Sequence, residues 1–188
     1  MGTLVADPYR EAVRAATGLE LEDVHVVKNP DAWPAFELAA IDEAEFARRF
    51  FARPGNGHTF DLEAFHAVRR AGYGFLPGME DLLEATEGLC ERYIASNYPV
   101  WVEEIAERFA LHERTDGVYA SCHLGARKPD PSFYARLLER IGRRPQDCLF
   151  VDDREDNCEG ARAAGMRAHR FTTAAELRRW LRTEGLAV

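Results

Sequence analysis

The sequence has no long apolar run and no excess of basic residues. None of its apolar segments approaches the roughly 18 residues of a membrane-spanning helix, and its first residues do not have the pattern of a secretory signal peptide. Its 24 Lys and Arg residues are outnumbered by 32 Asp and Glu residues, which gives a formal net charge of -8 at pH 7. Nucleic acid binding needs a basic footprint. We therefore expect neither a membrane nor a nucleic acid among its partners.

Paired cysteines are also missing. The four cysteines lie far apart without a Cys-x-x-Cys pair, and the neighbours Cys122 and His123 lack zinc-knuckle spacing. This pattern predicts reduced, mostly buried thiols in a cytoplasmic protein, and it disfavours a disulfide framework or a structural zinc site.

What remains is typical of a soluble globular chain. Its 188 residues, 46% hydrophobic and 30% charged, are enough for one domain with a hydrophobic core, and the sequence shows no internal repeats. The acidic balance still permits a small phosphorylated metabolite as a partner, because a metal ion and a local lysine can offset the net charge at one site.

The second half of the chain alternates between strand and helix patterns. Short apolar runs predict strands over residues 92–96, 117–121, 148–153 and 167–171, and helical patterns lie between them. Strands separated by crossover helices pair in parallel. The sequence therefore predicts an α/β fold with a Rossmann-like parallel sheet of the doubly wound type.

The first half contains helical patterns and loops but no convincing strand. Gly18 is a predicted helix end, two helices are predicted over residues 31–51, and a loop rich in Pro, Gly and Asn is predicted over residues 53–59. We therefore predict a small α-helical cap over residues 7–72, on an α/β core formed by residues 1–6 and 73–188.

Polar side chains stand where three of the predicted strands end. Ser96 closes the first strand, Lys128 follows the second, and Asp152 and Asp153 close the third. Ligands of open parallel sheets bind at the carboxyl ends of the strands. A hydroxyl, an ammonium group and a carboxylate pair at that edge predict a site for phosphate and Mg²⁺.

Each of these residues also has a simpler structural interpretation. Ser96 could be a helix N-cap, Lys128 an ordinary solvated lysine, and Asp153 a cap of the following helix. Two adjacent acids at the end of a buried strand are harder to explain this way, since like charges there cost stability unless a cation is near.

The order of these segments resembles the haloacid dehalogenase superfamily of hydrolases. The stretches IASNYP, GARKPDPSFY and LFVDDREDNCEGARAAGM look like its second, third and fourth motifs. The similarity runs from Gly2 to about Phe171. It is greatest to the subgroup with a small helical cap, which includes glucose-1-phosphatase-like proteins and the phosphatase domain of soluble epoxide hydrolase.

The resemblance implies a role for each matching residue. Ser96 and Asn97 would bind the phosphoryl oxygens, and Lys128 would stabilise the charge on the nucleophile and the phosphate. Asp153, with Asp152 beside it, would hold Mg²⁺. Asp156 and Asn157 would support these residues from the second layer of the site. The implied activity is Mg²⁺-dependent hydrolysis of a small phosphomonoester through an aspartyl-phosphate.

The first motif of the family is incomplete here. It consists of a strand followed by Asp-x-Asp-Gly-Thr-Leu-Val, in which the first Asp is the nucleophile and the second the general acid and base. Residues 2–5 read GTLV, but Met1 stands in place of the second Asp. Asp7 comes too late in the sequence to replace either aspartate of the motif. The acids Asp61 and Glu63 are better explained as the start of a helix.

Two hypotheses follow from this departure. In one, the start site is misassigned or the chain is truncated, and the natural protein is a Mg²⁺-dependent phosphatase. In the other, it is an inactive pseudophosphatase with a binding or regulatory role, which uses the crevice and the cap residues Trp33 and Phe36 as an interaction surface. The absent strand would lie centrally, between the strands over 148–153 and 92–96. We expect either that residues 1–5 enter this gap or that the two flanking strands close it.

Overall fold

In the computed structural model, which describes residues 1–53 and 57–188, helices fill the first half of the chain and strand–helix units fill the second. The helices of the first half are α1 (Tyr9–Thr17), α2 (Leu21–Val27), α3 (Ala32–Glu37), α4 (Glu43–Arg49) and α5 (Leu62–Gly72). The second half contains α6 (Met79–Ala85), β1 (Tyr93–Ser96), α7 (Val102–Arg108), α8 (Leu111–Arg114), β2 (Gly117–Ala120), α9 (Ser121–Leu124), α10 (Pro131–Ile141), β3 (Leu149–Asp152), α11 (Glu155–Ala163), β4 (Arg167–Arg170) and α12 (Ala174–Thr183).

All four predicted strands are present, each shorter than predicted by one residue at one or both ends. β1 pairs in parallel with β2, from Tyr93 opposite Gly117 to Ser96 opposite Ala120. β3 pairs in parallel with β4, from Leu149 opposite Arg167 to Asp152 opposite Arg170. The predicted α/β class with parallel pairing is confirmed, and the helical first half agrees with the predicted cap.

The sheet is split between β1 and β3. Within the described residues, β1 pairs only with β2 and β3 only with β4. Both expectations for the gap are therefore wrong: the flanking strands do not close it, and residues 1–5 do not enter it as a strand. The reason is local, because Gly2 has a φ of +75° and donates its N–H to the carbonyl of Val5 at 2.8 Å. This turn directs Val5 into an antiparallel bridge with Phe75.

The helices of the first half begin and end at recognisable caps. α1 ends at Gly18, whose φ of +69° suits glycine. α5 begins after Asp61, whose carboxylate accepts a hydrogen bond from the N–H of Ala64 at 2.9 Å. Asp61 is thus an N-cap, as predicted. α2 has no counterpart in the prediction, and the predicted loop over 53–59 lies partly outside the described residues.

An aromatic core joins these helices to the second half of the chain. Phe36, Phe46 and Phe65 are buried and meet the ring of Trp101, which lies just before α7. The division into a cap over residues 7–72 and a core over 1–6 and 73–188 stays a prediction.

Two further predictions concern the membrane and the cysteines. No helix of the described residues is long and apolar enough to cross a membrane. The prediction of mostly buried thiols is wrong, because only Cys158 is buried, whereas Cys90 is exposed and the other two are partly exposed.

Candidate active site

Lys128 is the charged centre of the region where β1 and β3 end. It is 5% exposed. Its Nζ donates to the carbonyl oxygen of Ala95 at 2.8 Å and to Oδ2 of Asp152 at 2.5 Å, and it lies 5.8 and 5.5 Å from the ring centres of Phe133 and Phe150. A lysine buried this deeply is tolerated because its charge is paired and hydrogen-bonded. The simpler interpretation as a solvated lysine is wrong.

Asp152 uses both carboxylate oxygens inside the protein. Oδ2 binds Lys128, and Oδ1 accepts from the N–H of Arg154 at 3.0 Å and from Nδ2 of Asn157 at 2.8 Å. The side chain is therefore held in place to orient Lys128. That Asp152 is also a magnesium ligand stays a prediction, and so does the supporting role of Asn157, whose Nδ2 binds Asp152.

Asp153 is held by the first residues of the chain. Its N–H donates to Oγ1 of Thr3 at 3.1 Å, and the same hydroxyl donates to its Oδ1 at 3.3 Å. No donor among the described residues contacts Oδ2. A Cβ added to Gly2 would lie 2.7 Å from that Oδ2. The backbone of Gly2 thus passes so close to the carboxylate that an added Cβ would have to displace it.

Ser96 and Asn97 take different positions. Ser96 is 7% exposed, its hydroxyl has no hydrogen-bond partner within the described part of the chain, and it lines the same cavity as Lys128 and Asp152. The side chain of Asn97 instead binds the backbone of Lys128, donating to its carbonyl and accepting from its N–H, both at 2.8 Å. Asn97 therefore fixes the loop that carries Lys128, a role that the sequence did not reveal.

Asp156 lies apart from this group. Both of its carboxylate oxygens accept hydrogen bonds from Arg154, at 3.1 and 2.6 Å, and its side chain is 45% exposed. The hydrogen bond from Arg154 lowers the pKa of this carboxyl group. Asp156 therefore forms a surface ion pair with Arg154, and its carboxylate does not contact Asp152 or Asp153.

The structure also shows where the other acids considered as nucleophiles lie. Asp7 is exposed and accepts a hydrogen bond from the N–H of Tyr9 at 3.1 Å. Asp61 and Glu63 lie at the start of α5. The α-amino group of Met1 is nearer to the site: burial lowers its pKa, and the neighbouring charge of Lys128 lowers it further. No described carboxylate other than that of Asp152 joins the hydrogen-bonded group around Lys128, and the Asp153 carboxylate is bound to Thr3.

The cap residues proposed as an interaction surface are mostly internal. Phe36 is 2% exposed, so it cannot present a surface to a partner, and the interaction-surface hypothesis is wrong for this residue. Trp33 donates from Nε1 to Glu37 at 2.7 Å. Glu37 is 4% exposed and binds Arg127 at 2.8 Å; burial raises the pKa of its carboxyl group, and Arg127 opposes that rise. Through Arg127, α3 is connected to the loop that carries Lys128.

The side chains of the site provide only some of the oxygen ligands that a Mg²⁺ ion needs. Among residues 1–53 and 57–188, no group of three or more His, Cys, Asp or Glu side chains could hold a metal ion. Asp153 offers Oδ2, and the buried Oδ1 of Asn157 has no donor within the described residues. Mg²⁺ is commonly bound through one or two carboxylates with waters and substrate phosphate oxygens. The residues present thus fit a magnesium ion that binds together with a phosphate group.

Comparisons with known proteins show the family to which the chain belongs. A family model described as haloacid dehalogenase-like hydrolase matches residues 2–165. Flavin mononucleotide hydrolase 1, a chloroplast protein of Arabidopsis thaliana, is 37% identical over 190 residues, which cover 100% of this chain and 76% of that protein. Phosphatase MT3486 of Mycobacterium tuberculosis is 45% identical over 179 residues, which cover 89% of this chain and 81% of that protein.

Solved structures share the fold at lower sequence identity. A predicted HAD-like hydrolase of Porphyromonas gingivalis has a TM-score of 0.73 and 19% identity, with 96% of this chain and 93% of that chain covered. A HAD family enzyme of Bacteroides thetaiotaomicron, solved with magnesium and inorganic phosphate, has a TM-score of 0.71 and 18% identity, with 93% and 91% covered. The chain belongs to the haloacid dehalogenase-like hydrolases.

Proposed function

We propose that the site around Lys128 binds a small phosphomonoester together with Mg²⁺, and that it serves hydrolysis through an aspartyl-phosphate. The observation that carries this proposal is the buried ammonium group of Lys128, which lies where the carboxyl ends of β1 and β3 come together. Asp153, a second carboxylate, directly follows Asp152 at the end of β3. A paired cation at such an edge supplies a fixed positive charge for phosphoryl oxygens, and it needs no reorganisation when the substrate binds.

Each residue has a separate role in this proposal. Lys128 stabilises negative charge on the phosphoryl group, and the hydroxyl of Ser96 donates a hydrogen bond to one of its oxygens. Asp152 and Asn97 position Lys128, the first through its carboxylate and the second through the loop backbone. Thr3 orients Asp153. Asp156 has no direct role here.

Asp153 is the protein ligand that we assign to Mg²⁺. When bound there, the ion would neutralise phosphoryl charge and favour attack on phosphorus. Because Asp152 uses its oxygens on Lys128, Arg154 and Asn157, we assign it to positioning and leave Asp153 as the principal carboxylate. A single carboxylate predicts weak magnesium binding in the absence of phosphate.

The covalent step needs the first Asp of the motif, which residues 1–188 do not include, and its general acid and base is the second Asp, at whose position Met1 stands. In the hydrolytic reaction a carboxylate oxygen attacks phosphorus, the bond from phosphorus to the ester oxygen breaks, and the released alcohol takes up a proton. Water then cleaves the acyl phosphate to return the carboxylate and inorganic phosphate. Without the first Asp, and with Met1 in place of the second, we expect residues 1–188 alone to bind phosphate but to turn over substrate poorly.

The second candidate is a phosphate-binding protein without turnover. It is favoured by one specific observation: Met1 stands where the motif has its acid, while Lys128 and Asp153 are retained in the site. In this case the same residues would bind a phosphorylated ligand and release it unchanged.

The comparisons support the substrate class but not its identity. The similar proteins include a flavin mononucleotide hydrolase, a phosphatase and a sesquiterpene phosphatase, and these names indicate small phosphorylated substrates. We further propose that residues 7–72 are the cap that selects the substrate, because Glu37 of α3 reaches Arg127 beside the site. A cytoplasmic location stays a prediction.

Turnover of p-nitrophenyl phosphate, with and without EDTA, tests the proposal in two forms of the protein. For residues 1–188 we expect near-background turnover that Asp153→Ala changes little. For the same chain with Asp in place of Met1, preceded by an apolar strand that ends in Asp-x, we expect Mg²⁺-dependent turnover that EDTA abolishes and that an Asn in place of the first Asp removes.

The remaining outcomes decide between the alternatives. If the extended chain binds phosphate but stays inactive, the phosphate-binding function is correct and hydrolysis is not. If residues 1–188 alone show robust Mg²⁺-dependent turnover that Asp153→Ala destroys, our account of the nucleophile is wrong. Asp7→Asn then tests the first replacement candidate.

A further inference from the structure

The imidazole of His66 in α5 lies between a carboxylate and a guanidinium group. Its Nε2 lies 2.7 Å from Oε1 of Glu43 in α4, and its Nδ1 accepts a hydrogen bond from Nε of Arg69 at 2.7 Å. An arginine nitrogen donates and cannot accept, so Nδ1 carries no proton, and Nε2 carries the proton that Glu43 accepts. The side chain of His66 is 13% exposed. The arrangement therefore requires the neutral form of His66.

Arg69 is held in place by its other contacts. Its side chain is 1% exposed, its Nη2 binds Glu104 of α7 at 3.0 Å, and its Nη1 donates to the hydroxyl of Tyr73 at 3.2 Å. The guanidinium group also lies 4.2 Å from the ring centre of Trp101. Because three different side chains hold Arg69, it cannot move freely when the hydrogen bond to His66 is disturbed.

Hydrogen bonds continue from Arg69 to the loop after β1. The hydroxyl oxygens of Tyr73 and Tyr98 are 2.5 Å apart, and the two residues are both buried. One hydrogen-bonded series, which we call the His66 network, is thus formed by His66, Arg69, Tyr73 and Tyr98. It joins α5 to the loop after β1.

The His66 network ends beside the candidate site. Tyr98 directly follows Ser96 and Asn97 in the sequence, and the side chain of Asn97 fixes the backbone of Lys128. The N–H of Tyr98 donates to Oγ of Ser121 at 3.0 Å. Tyr98 therefore holds the loop by its backbone and by its side chain, and the His66 network supplies the hold on the side chain.

The charged groups around His66 favour its neutral form on balance. Burial lowers the pKa of the imidazole, the neighbouring charges of Arg69 and Arg70 lower it further, and the carboxylate of Glu43 opposes them. Glu104 of α7 is bound to both arginines and offsets part of their charge. The ring contacts are aromatic and carry no charge: Phe65 and Trp101. His66 is therefore neutral at neutral pH and takes up a proton in acid.

A proton on Nδ1 would break the hydrogen bond between His66 and Arg69. Two N–H groups would then face each other, and two positive charges would be neighbours. Either the imidazole withdraws or the other contacts of Arg69 give way, and Nε of Arg69 loses its acceptor in both cases. A buried donor without an acceptor costs free energy. The His66 network therefore has one arrangement when His66 is neutral and another when it is protonated.

From these contacts we propose that His66 is a positioning residue, which holds the loop of Ser96 and Asn97 in place through the His66 network and releases this loop when it is protonated. The site then binds phosphate best while His66 is neutral, and phosphate binding weakens in acid. The effect on phosphate rests on the proposed function, whereas the movement of the loop does not.

Nuclear magnetic resonance tests the movement of the loop on the wild-type protein. As the pH falls, we expect the backbone amides of Asn97 and Tyr98 and the indole N–H of Trp101 to shift with the midpoint of the His66 ring. This midpoint should lie below the ordinary histidine value of about 6.5. In His66→Asn the amide oxygen supplies an acceptor in place of Nδ1 and does not titrate. These shifts should therefore be absent from His66→Asn.

Calorimetry with inorganic phosphate tests the effect on the site. Variants are compared at the same pH, about one unit above and about one unit below the His66 midpoint, so that the ionisation of phosphate affects all of them equally. Below the midpoint, His66→Asn should bind phosphate at least about threefold more tightly than the wild type, which is the effect of one hydrogen bond. Above it, His66→Asn should match the wild type.

Two further variants complete the comparison. His66→Leu has no acceptor at any pH, so above the midpoint it should bind phosphate at least about threefold more weakly than the wild type. The matched control is His112→Asn, at an exposed histidine of α8 that lies 3.2 Å from Glu103. It should follow the wild type at both pH values.

Several results would overturn the inference. These are amides of Asn97 and Tyr98 that do not follow the titration of His66, shifts that persist in His66→Asn, and an equal loss of phosphate affinity in acid for the wild type and His66→Asn. If the wild type does not bind phosphate at all, the proposed function is wrong, and the resonance measurement alone decides whether His66 controls the loop. If His66→Leu does not fold, the comparison of the wild type with His66→Asn still decides the question.

Discussion

Nζ of Lys128 lies 2.5 Å from Oδ2 of Asp152, and both side chains are 6% exposed. Removing one partner of a buried ion pair leaves an unpaired charge in the interior, which typically costs about 3–5 kcal/mol. We therefore expect Lys128→Met to lower the free energy of unfolding by about that amount. We also expect the double variant Lys128→Met/Asp152→Asn to be more stable than Lys128→Met alone. Chemical denaturation measures both effects.

A surface ion pair provides the control. Arg144 and Asp147 are 2.8 Å apart, with side chains 80% and 47% exposed. Arg144→Met should cost no more than about 1 kcal/mol, because solvent screens exposed pairs. If Lys128→Met lowers the free energy of unfolding no more than Arg144→Met does, the ion pair of Lys128 and Asp152 does not stabilise the site as we propose.

The second prediction concerns Gly2. Its φ of +75° is strained for any other residue, and a Cβ would collide with Asp153. Gly2→Ala should therefore lower the free energy of unfolding by at least about 1 kcal/mol, through backbone strain. It should also displace the Asp153 carboxylate, which would appear as a shift of the Asp153 amide resonance and as weaker phosphate binding.

The variant Gly18→Ala separates the effect of backbone strain from the effect of a collision between the added Cβ and a neighbouring side chain. Gly18 has a similar φ of +69°, but nothing lies within 4 Å of an added Cβ. The variant should lose a similar amount of stability without moving the Asp153 resonance or changing phosphate binding. Equal effects of the two variants on phosphate binding would contradict the proposed contact between Gly2 and Asp153.

The third prediction concerns acid stability. Hydrogen bonds from Arg70 and Arg69 of α5 lower the pKa of Glu104 in α7 to about 2, from an ordinary 4.5. A folded-state pKa below the unfolded value contributes stability above the unfolded pKa, and this contribution is lost as the pH falls from about 4.5 to 2. Because the side chain is 40% exposed, we expect a contribution of about 1 kcal/mol after solvent screening.

Glu104→Gln should therefore flatten the pH dependence of the free energy of unfolding between pH 4.5 and 2. The matched control is Glu107→Gln, an exposed residue of the same helix. It should leave the slope in this window nearly unchanged. A steep loss of stability that Glu104→Gln does not alter would show that other carboxyl groups control acid unfolding.

The strands could be predicted from the sequence to within about a residue because short apolar runs such as CLFVDD end abruptly in polar residues. Capped helices such as α5 were equally readable, since Asp61 carries the N-cap signal. α2 was not, because its residues carry no glycine end and no clear apolar stripe.

The contacts within the site were only partly predictable. Lys128, Asp152 and Asn157 do meet, as their positions after parallel strands indicated. The side chain of Asn97 binds the Lys128 backbone, and Thr3 binds Asp153 across 150 positions of sequence. Such long-range hydrogen bonds have no local signal. The turn at Gly2 and the bridge of Val5 with Phe75 likewise had no signal in the GTLV pattern.

The most direct test of the site is the coupling between inorganic phosphate and Mg²⁺, measured by calorimetry on residues 1–188. We predict that Mg²⁺ strengthens phosphate binding at least about tenfold, which corresponds to about 1.4 kcal/mol. Asp153→Asn should abolish this coupling, and Asp156→Asn should preserve it, because the Asp156 carboxylate is bound to Arg154. Phosphate binding that Mg²⁺ does not affect, or coupling that survives Asp153→Asn but not Asp156→Asn, would contradict the assignment of the site.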